Sequence, residues 1–310
     1  MSLLQIFDLS WVAATIRLAT PIALAAQGET LSERAGVLNI GLEGVMLNSA
    51  FAGVVGAYYS GSPWVGLLLG MLVGALTALI LAVASITFRA NQIVIGAAIN
   101  ILAMGITGVL FRAIFGLEQQ VTVMSFKPYP IPVLSQIPVL GPVLFQQNVL
   151  VYLGYVLVPL LTIVLFRTHW GLAIRAVGDE PQAVDTAGIS VIKIRYLAVL
   201  IGGALGGLGG VSLSLGQLNL FAEGMISGRG FMALAAVIFG RWHPVGGVLA
   251  ALFFGGADAL QLRMQVLGWQ VPYEFMLMLP YVLTLLTLAV FAGRASQPKA
   301  LGENYAREVR

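Results

Sequence analysis

Residues 44–88 read GVMLNSAFAGVVGAYYSGSPWVGLLLGMLVGALTALILAVASITF, and no charged side chain occurs between Glu43 and Arg89. A bilayer core takes about 20 apolar residues per helix. The run is long enough for two crossings, and Gly61-Ser62-Pro63 divides it into two spans. The same reading applied outward finds further charge-free runs at 90–111 and 275–293, one at 196–222, and one starting near Asn148 and ending at Phe166. Leu9 to Gln27 is expected to cross despite Arg17, and 245–262 despite Asp258. That makes eight full spans, with a shorter apolar piece at 230–240 that re-enters the membrane or crosses it as a ninth.

The composition agrees. Of the 310 residues, 59% are hydrophobic and only 9% are charged, against about 25% charged in a soluble domain. So few charges cannot solvate a globular surface, which excludes a soluble enzyme, a nucleic-acid binder and a disordered chain. Cysteine is absent and there are two histidines, His169 and His243. No thiol nucleophile, disulfide framework or histidine-rich metal cage is therefore available. Asp8 stands where a cleaved leader would carry basic residues, so the first apolar segment is expected to be a retained span.

Prolines 128, 130, 132, 138 and 142 interrupt the uncharged stretch before Asn148. They forbid a regular helix there, so residues 113–147 are expected to form an external loop or flap. Residues 167–195 hold seven of the 29 charges. If this loop and the tail 294–310 face the cytoplasm, eleven basic residues lie inside and four outside, which sets the direction by the positive-inside rule. The N-terminus then falls outside after nine crossings. Within the loop, Asp179-Glu180 before Pro181 predicts a helix start and Gly188 its stop, giving a short amphipathic helix over 182–187.

The string Trp170-Gly171-Leu172-Ala173-Ile174-Arg175-Ala176-Val177-Gly178-Asp179-Glu180-Pro181, followed by Ala187-Gly188-Ile189, resembles the coupling loop of ABC-importer permeases. The family is the one serving branched-chain amino acids, simple sugars and nucleosides. Residues 33–44 (ERAGVLNIGLEG), 228–244 (GRGFMALAAVIFGRWHP) and 255–262 (GGADALQL) resemble other signatures of it, the first in its nucleoside-permease version. The proline-rich stretch 128–142 matches none of them. The resemblance implies a single all-α polytopic permease domain over 1–310, with eight to nine transmembrane helices, one cytoplasmic coupling helix and one re-entrant half-helix. It also implies a bacterial cytoplasmic (inner) membrane location, a second homologous permease subunit in a heterodimer, ABC ATPase subunits and an extracytoplasmic substrate-binding protein. Arg175, Gly178, Asp179, Glu180, Pro181, Ala187 and Gly188 would form the ATPase-coupling loop. No cofactor, metal or nucleic acid is implied, and the chain has no G-x-x-x-x-G-K-[ST] of its own. ATP would be used by the partner.

Polar groups at membrane depth each need a reason, since a charge at the bilayer centre costs at least about 2.5–3.5 kcal/mol. Asn39 and Glu43 are four apart, which predicts one shared helical face, with Asn48 just beyond. Together with Asn100 they are candidates for a substrate pathway, or for an interhelical hydrogen-bond cluster. Arg17 is expected to pair with Glu43 or Asp258. In GGALGGLGG at 202–210, glycines recur four apart, a spacing that lets helix backbones approach closely. The leading expectation is a nucleoside permease subunit of an ATP-driven importer. The alternatives are the same importer type for ribose, other sugars or branched-chain amino acids, and an ion-coupled secondary transporter using Glu43 and Asp258. An intramembrane enzyme lacks a nucleophile–base or metal set, so changing both histidines is expected to leave transport intact.

Overall fold

The computed structural model describes residues 8–116, 121–266 and 297–306, with Met278 and Val282. Among these residues the chain is helical and contains no strand. Apart from Met278 and Val282, the expected span at 275–293 lies outside the described residues.

Six helices are long and apolar enough to cross a membrane. They are α1 (Leu9–Arg34), α3 (Pro63–Ala82, continued by a π-helical turn to Thr87), α4 (Gln92–Phe115), α6 (Val149–Arg167), α9 (Val191–Leu213, continued by a π-helical turn to Leu218) and α11 (Pro244–Val266). Also present are α2 (Leu42–Ser60), α5 (Leu140–Leu144), α7 (His169–Asp179), α8 (Pro181–Thr186) and α10 (Arg229–Phe239). The start signals are local. Asp8, Asn91, Asn148, Thr168 and Ser190 each accept a hydrogen bond from a first-turn N–H of the following helix. The prolines of 128–142 keep most of that stretch irregular, although Leu140–Leu144 closes one helical turn around Pro142.

Helix α9 is the hub, and its glycines explain why. A Cβ on Gly202 would lie 2.7 Å from the Gly28 carbonyl of α1, and one on Gly207 would lie 2.8 Å from the Gly70 carbonyl of α3. On Gly210 it would lie 2.1 Å from the Met46 carbonyl of α2. Three helices thus close on one at backbone distance, a packing that only missing side chains allow.

Two expectations about helix ends need correcting. The first span does not stop at Gln27; α1 runs on to Arg34 and carries Glu29 and Glu33 inside the protein, each 1% exposed. Second, Asn39 lies in the non-helical link 35–41 between α1 and α2, so it shares no helical face with Glu43. That link climbs inside the bundle. It ends at Leu42, the first residue of α2, which packs against Gly206, about halfway along the apolar helix Val191–Leu218.

At the end of the bundle carrying Asp8, residues 121–131 fold back over the bundle. Their N–H groups from Val123 and Phe126 donate to the Asn219 and Leu215 carbonyls, at 2.9 and 3.0 Å, satisfying acceptors that the π-helical turn leaves open. Arg263 there forms a salt bridge with Asp8 and donates to Ser10. The guanidinium beside it holds the Asp8 carboxyl well below the usual carboxylate range. A carboxylate depressed in the folded state contributes stability above its unfolded value, near pH 4, and loses it as pH falls. Asp8→Asn is therefore expected to melt below the wild type at pH 7, with the gap closing as pH falls through and below 4. A gap independent of pH would count against the clamp.

Candidate functional site

The link between α1 and α2 leaves helical hydrogen bonding inside an apolar bundle, so each backbone group there needs a partner. Neighbouring helices supply them. Gln92 accepts from Leu38 N at 2.8 Å, and Glu29 accepts from Asn39 N at 2.9 Å. Asn100 of α4 bridges the junction, accepting from Gly44 N at 2.8 Å and donating to the Ile40 carbonyl at 3.0 Å.

A second irregular segment, residues 219–228, runs from the end of α9 nearer Asp8 to the start of α10. Helix α10 has 11 residues, about 16 Å at 1.5 Å per residue, or half a bilayer. Its amino end meets that of α2. The Glu43 carboxylate accepts from Gly228 N and Gly230 N, both at 2.7 Å. A Cβ on Gly230 would lie 2.5 Å from Glu43 N, so the two helix starts touch. Glu43 thus offsets the positive end of the α10 dipole. Beside it, Arg229 pairs with Asp258 of α11 at 3.8 Å.

This network revises the expected roles. Arg17 pairs with neither Glu43 nor Asp258: Glu43 caps α10 and Asp258 faces Arg229. The Arg17 backbone carbonyl instead accepts from the Gln217 side chain. Asn39, Glu43 and Asn100 do gather at one junction, the first through its backbone N–H. Asn48 sits apart, donating to Thr77 of α3 at 3.2 Å.

At the opposite end from Asp8, the loop 167–195 is not a simple connector. Helices α7 and α8 form it, the latter starting at Pro181 and ending at Thr186. Gly188 follows at φ +85°, and Ile189 N donates to the Val184 carbonyl, closing a glycine stop. Asp179, Glu180, Ala187 and Gly188 are exposed and Pro181 is half-buried. Gly178 is the exception. It is buried, and a Cβ there would lie 2.2 Å from the Arg34 carbonyl at the end of α1. It seats the loop on the bundle.

Arg175 also turns inward. Its guanidinium lies 5.0 Å from the Phe166 ring centre, and that of Arg34 lies 5.7 Å from the same ring. His243 stacks on the ring at 4.7 Å, its pKa lowered by burial and then by Arg34. The imidazole is thus a structural part of the cluster, so changing both histidines is not the neutral test it looked from the sequence. Arg34 Nε donates to the Trp242 carbonyl at 2.8 Å, while Trp242 Nε1 donates to Glu33. The loop, α1 and the α10–α11 turn are therefore packed together.

Glu29, Glu33 and Trp242 join this buried network although the sequence reading did not single them out. The available signal was Glu29 and Glu33 four apart: like charges at that spacing disfavour an exposed helix, which points to burial among donors.

This arrangement has relatives. The profile of the branched-chain amino acid transport system / permease component family matches residues 12–288. The chain belongs to that family. The permease is 45% identical to the guanosine ABC transporter permease protein NupQ of Bacillus subtilis (strain 168), with all of both chains covered. It is 40% identical to the nucleoside ABC transporter permease protein NupC of Lactococcus lactis subsp. cremoris, covering 95% of this chain and 96% of the relative. The permease is also 28% identical to NupP, a guanosine ABC transporter permease protein of the same organism as NupQ, covering 84% of this chain and 76% of the relative. A solved metal-chelate type ABC transporter in an inward-facing conformation superposes at a TM-score of 0.51 with 15% identity, covering 93% of this chain and 88% of the other. That likeness concerns the fold. The permease is a multi-pass membrane protein and a component of a transport system.

Proposed function

We propose that the permease translocates nucleosides as one transmembrane subunit of an ATP-driven importer in the bacterial cytoplasmic membrane. The observation that carries this is its 45% identity to a guanosine permease over the full length of both chains. NupQ and NupP from one organism both resemble it, which supports pairing with a second, different permease subunit. An extracytoplasmic binding protein delivers the solute, and ATPase subunits dock on the exposed residues of α7 and α8. The basic residues Arg34, Arg89, Arg195, Arg241 and Lys299 lie at the end of the bundle that carries these helices, as the positive-inside rule requires of the cytoplasmic side.

Within this reading, the substrate passes the junction where the half-length α10 meets α2. Glu43 and Asn100 shape its wall by holding those helix starts, and Asn39 and Asn48 brace α2 from behind. A neutral, hydrogen-bonding solute suits a path whose charges are already paired. The secondary-transporter alternative fits less well, because Glu43 and Asp258 are both engaged and neither is held free to bind a coupling ion.

Uptake of radiolabelled guanosine and uridine, with ribose and leucine as controls, tests the substrate class in cells with and without the gene. Loss of nucleoside uptake alone is expected. Loss of ribose or leucine uptake instead would keep the importer and overturn the substrate. Uptake that survives ATP depletion and collapses with the proton gradient would overturn ATP coupling.

The docking role has its own test. Asp179→Lys with Glu180→Lys changes exposed charges and leaves Gly178 seated, so insertion should be normal. Reversing both signs is expected to cut uptake about tenfold or more by opposing the partner's surface. Normal uptake with the ATPase still bound would show that these residues do not dock it.

A further inference from the structure

Residues 297–306, near the carboxyl end, are tied to four separate parts of the cytoplasmic side. Ala300 N donates to the Gly178 carbonyl of α7 at 2.8 Å, and Gly302 N to the Gly36 carbonyl of the α1–α2 link at 3.1 Å. Arg195 at the base of α9 donates to the Glu303 carbonyl at 2.8 Å, and the Asn304 side chain donates to the Arg89 carbonyl after α3. Leu301 and Tyr305 pack against the hydrophobic core. This segment is a strap across the base of the bundle, held in register with the coupling loop.

Strap and loop enclose a polar cleft of roughly 440 Å³. Asp179, Glu180 and Gln182 line one side, Lys299 and Glu303 the other, with Arg195 between them. Arg195 is 2% exposed, lies in the field of the Glu303 carboxylate and has Nη2 beside Gly36, yet its Nε and Nη2 atoms have no hydrogen-bond partner among the described residues. A buried guanidinium with two open donors is costly, and its fork geometry matches a carboxylate. Lys299 is exposed beside it and adds a second positive charge. Asp179 and Glu180 on the facing edge suit basic groups that flank such a carboxylate.

We propose that the strap and α8 form one composite docking face for the ATPase subunit. The cleft between them receives a partner segment whose acidic side chain reaches Arg195 and Lys299. This rests on the reading of the chain as an ABC permease and adds a second half to the surface that the coupling loop presents.

Lys299→Glu is the decisive variant, because Lys299 is exposed and makes none of the strap's anchoring hydrogen bonds. In the intact complex, this variant is expected to retain about tenfold less ATPase per permease, as charge reversal at a docking site does, with an unchanged permease melting temperature. Truncation before Gln297 should release the ATPase while leaving the permease in the membrane. Wild-type ATPase retention in Lys299→Glu would overturn the composite face, whether or not the truncation destabilises the permease. If the wild-type permease itself retains no ATPase, the underlying reading fails instead.

Discussion

Glu43→Ala is expected to abolish most uptake while the permease still reaches the membrane. The carboxylate receives N–H groups from Gly228 and Gly230, both at 2.7 Å, at the start of a helix that begins inside the bundle. Hydrogen bonds to a charged group contribute about 1.5–3 kcal/mol each. Removing both leaves two donors open where water and side chains are scarce, and leaves the Arg229–Asp258 pair without the charge that offset the α10 dipole. Frayed at its first turn, α10 no longer holds the junction with α2. A loss of roughly tenfold to a hundredfold in uptake follows from a few kcal/mol at about 1.4 kcal/mol per decade. Glu43→Gln keeps one acceptor and should fall between. Full uptake by Glu43→Ala, measured at equal membrane abundance, would show that the cap does not govern transport.

The largest effect on folding is expected at Gly210. A Cβ there would lie 2.1 Å from the Met46 carbonyl and 2.9 Å from its Cα. Side chains can move aside, but a backbone pinned on three sides cannot. Gly206 holds Leu42 from the same face of α9, while Gly207 holds α3 and Gly209 holds the Pro21 carbonyl of α1. Gly210→Leu should cost more than the about 1–3 kcal/mol usual for overpacking a core, and folded protein recovered in detergent should fall to a small fraction of wild type. Gly105 is the control. Nothing lies within 4 Å of a Cβ at that position, so Gly105→Leu should give a normal size-exclusion profile and melting temperature. Equal recovery of the two variants would contradict the hub role of α9.

Much of the fold was legible because the membrane imposes a simple rule. Backbone polar groups must be satisfied within a segment, so apolar runs between charges become helices. Six of the eight expected spans fall on helices long and apolar enough to cross; the one after Glu43 falls on the 19-residue α2, which is not among those six, and the eighth, apart from Met278 and Val282, lies outside the described residues. The glycine pattern at 202–210 announced close packing. Asp179-Glu180-Pro181 and Gly188 located α8 to within a residue, whereas α7 was not expected. Reading charge as the end of a span misled at Gln27, because Glu29 and Glu33 lie within the helix and find partners in Asn39 and Trp242. Those donors are 10 and 209 residues away along the chain. No local pattern shows them.

The same limit separates the two kinds of knowledge about this permease. Composition, hydropathy and local motifs by themselves determined that the chain is a helical membrane permease, which loop bears its charges, and where several of its helices start. Those properties depend on neighbours a few residues apart. Only the tertiary structure decided that Glu43 caps α10 and that Asp258 answers Arg229. It alone showed that Gly178 is buried against the Arg34 carbonyl and that residues 297–306 are tied to the 167–195 loop. Each of these joins residues from distant parts of the sequence, and a buried polar group takes whichever partner the packed helices bring within about 3 Å.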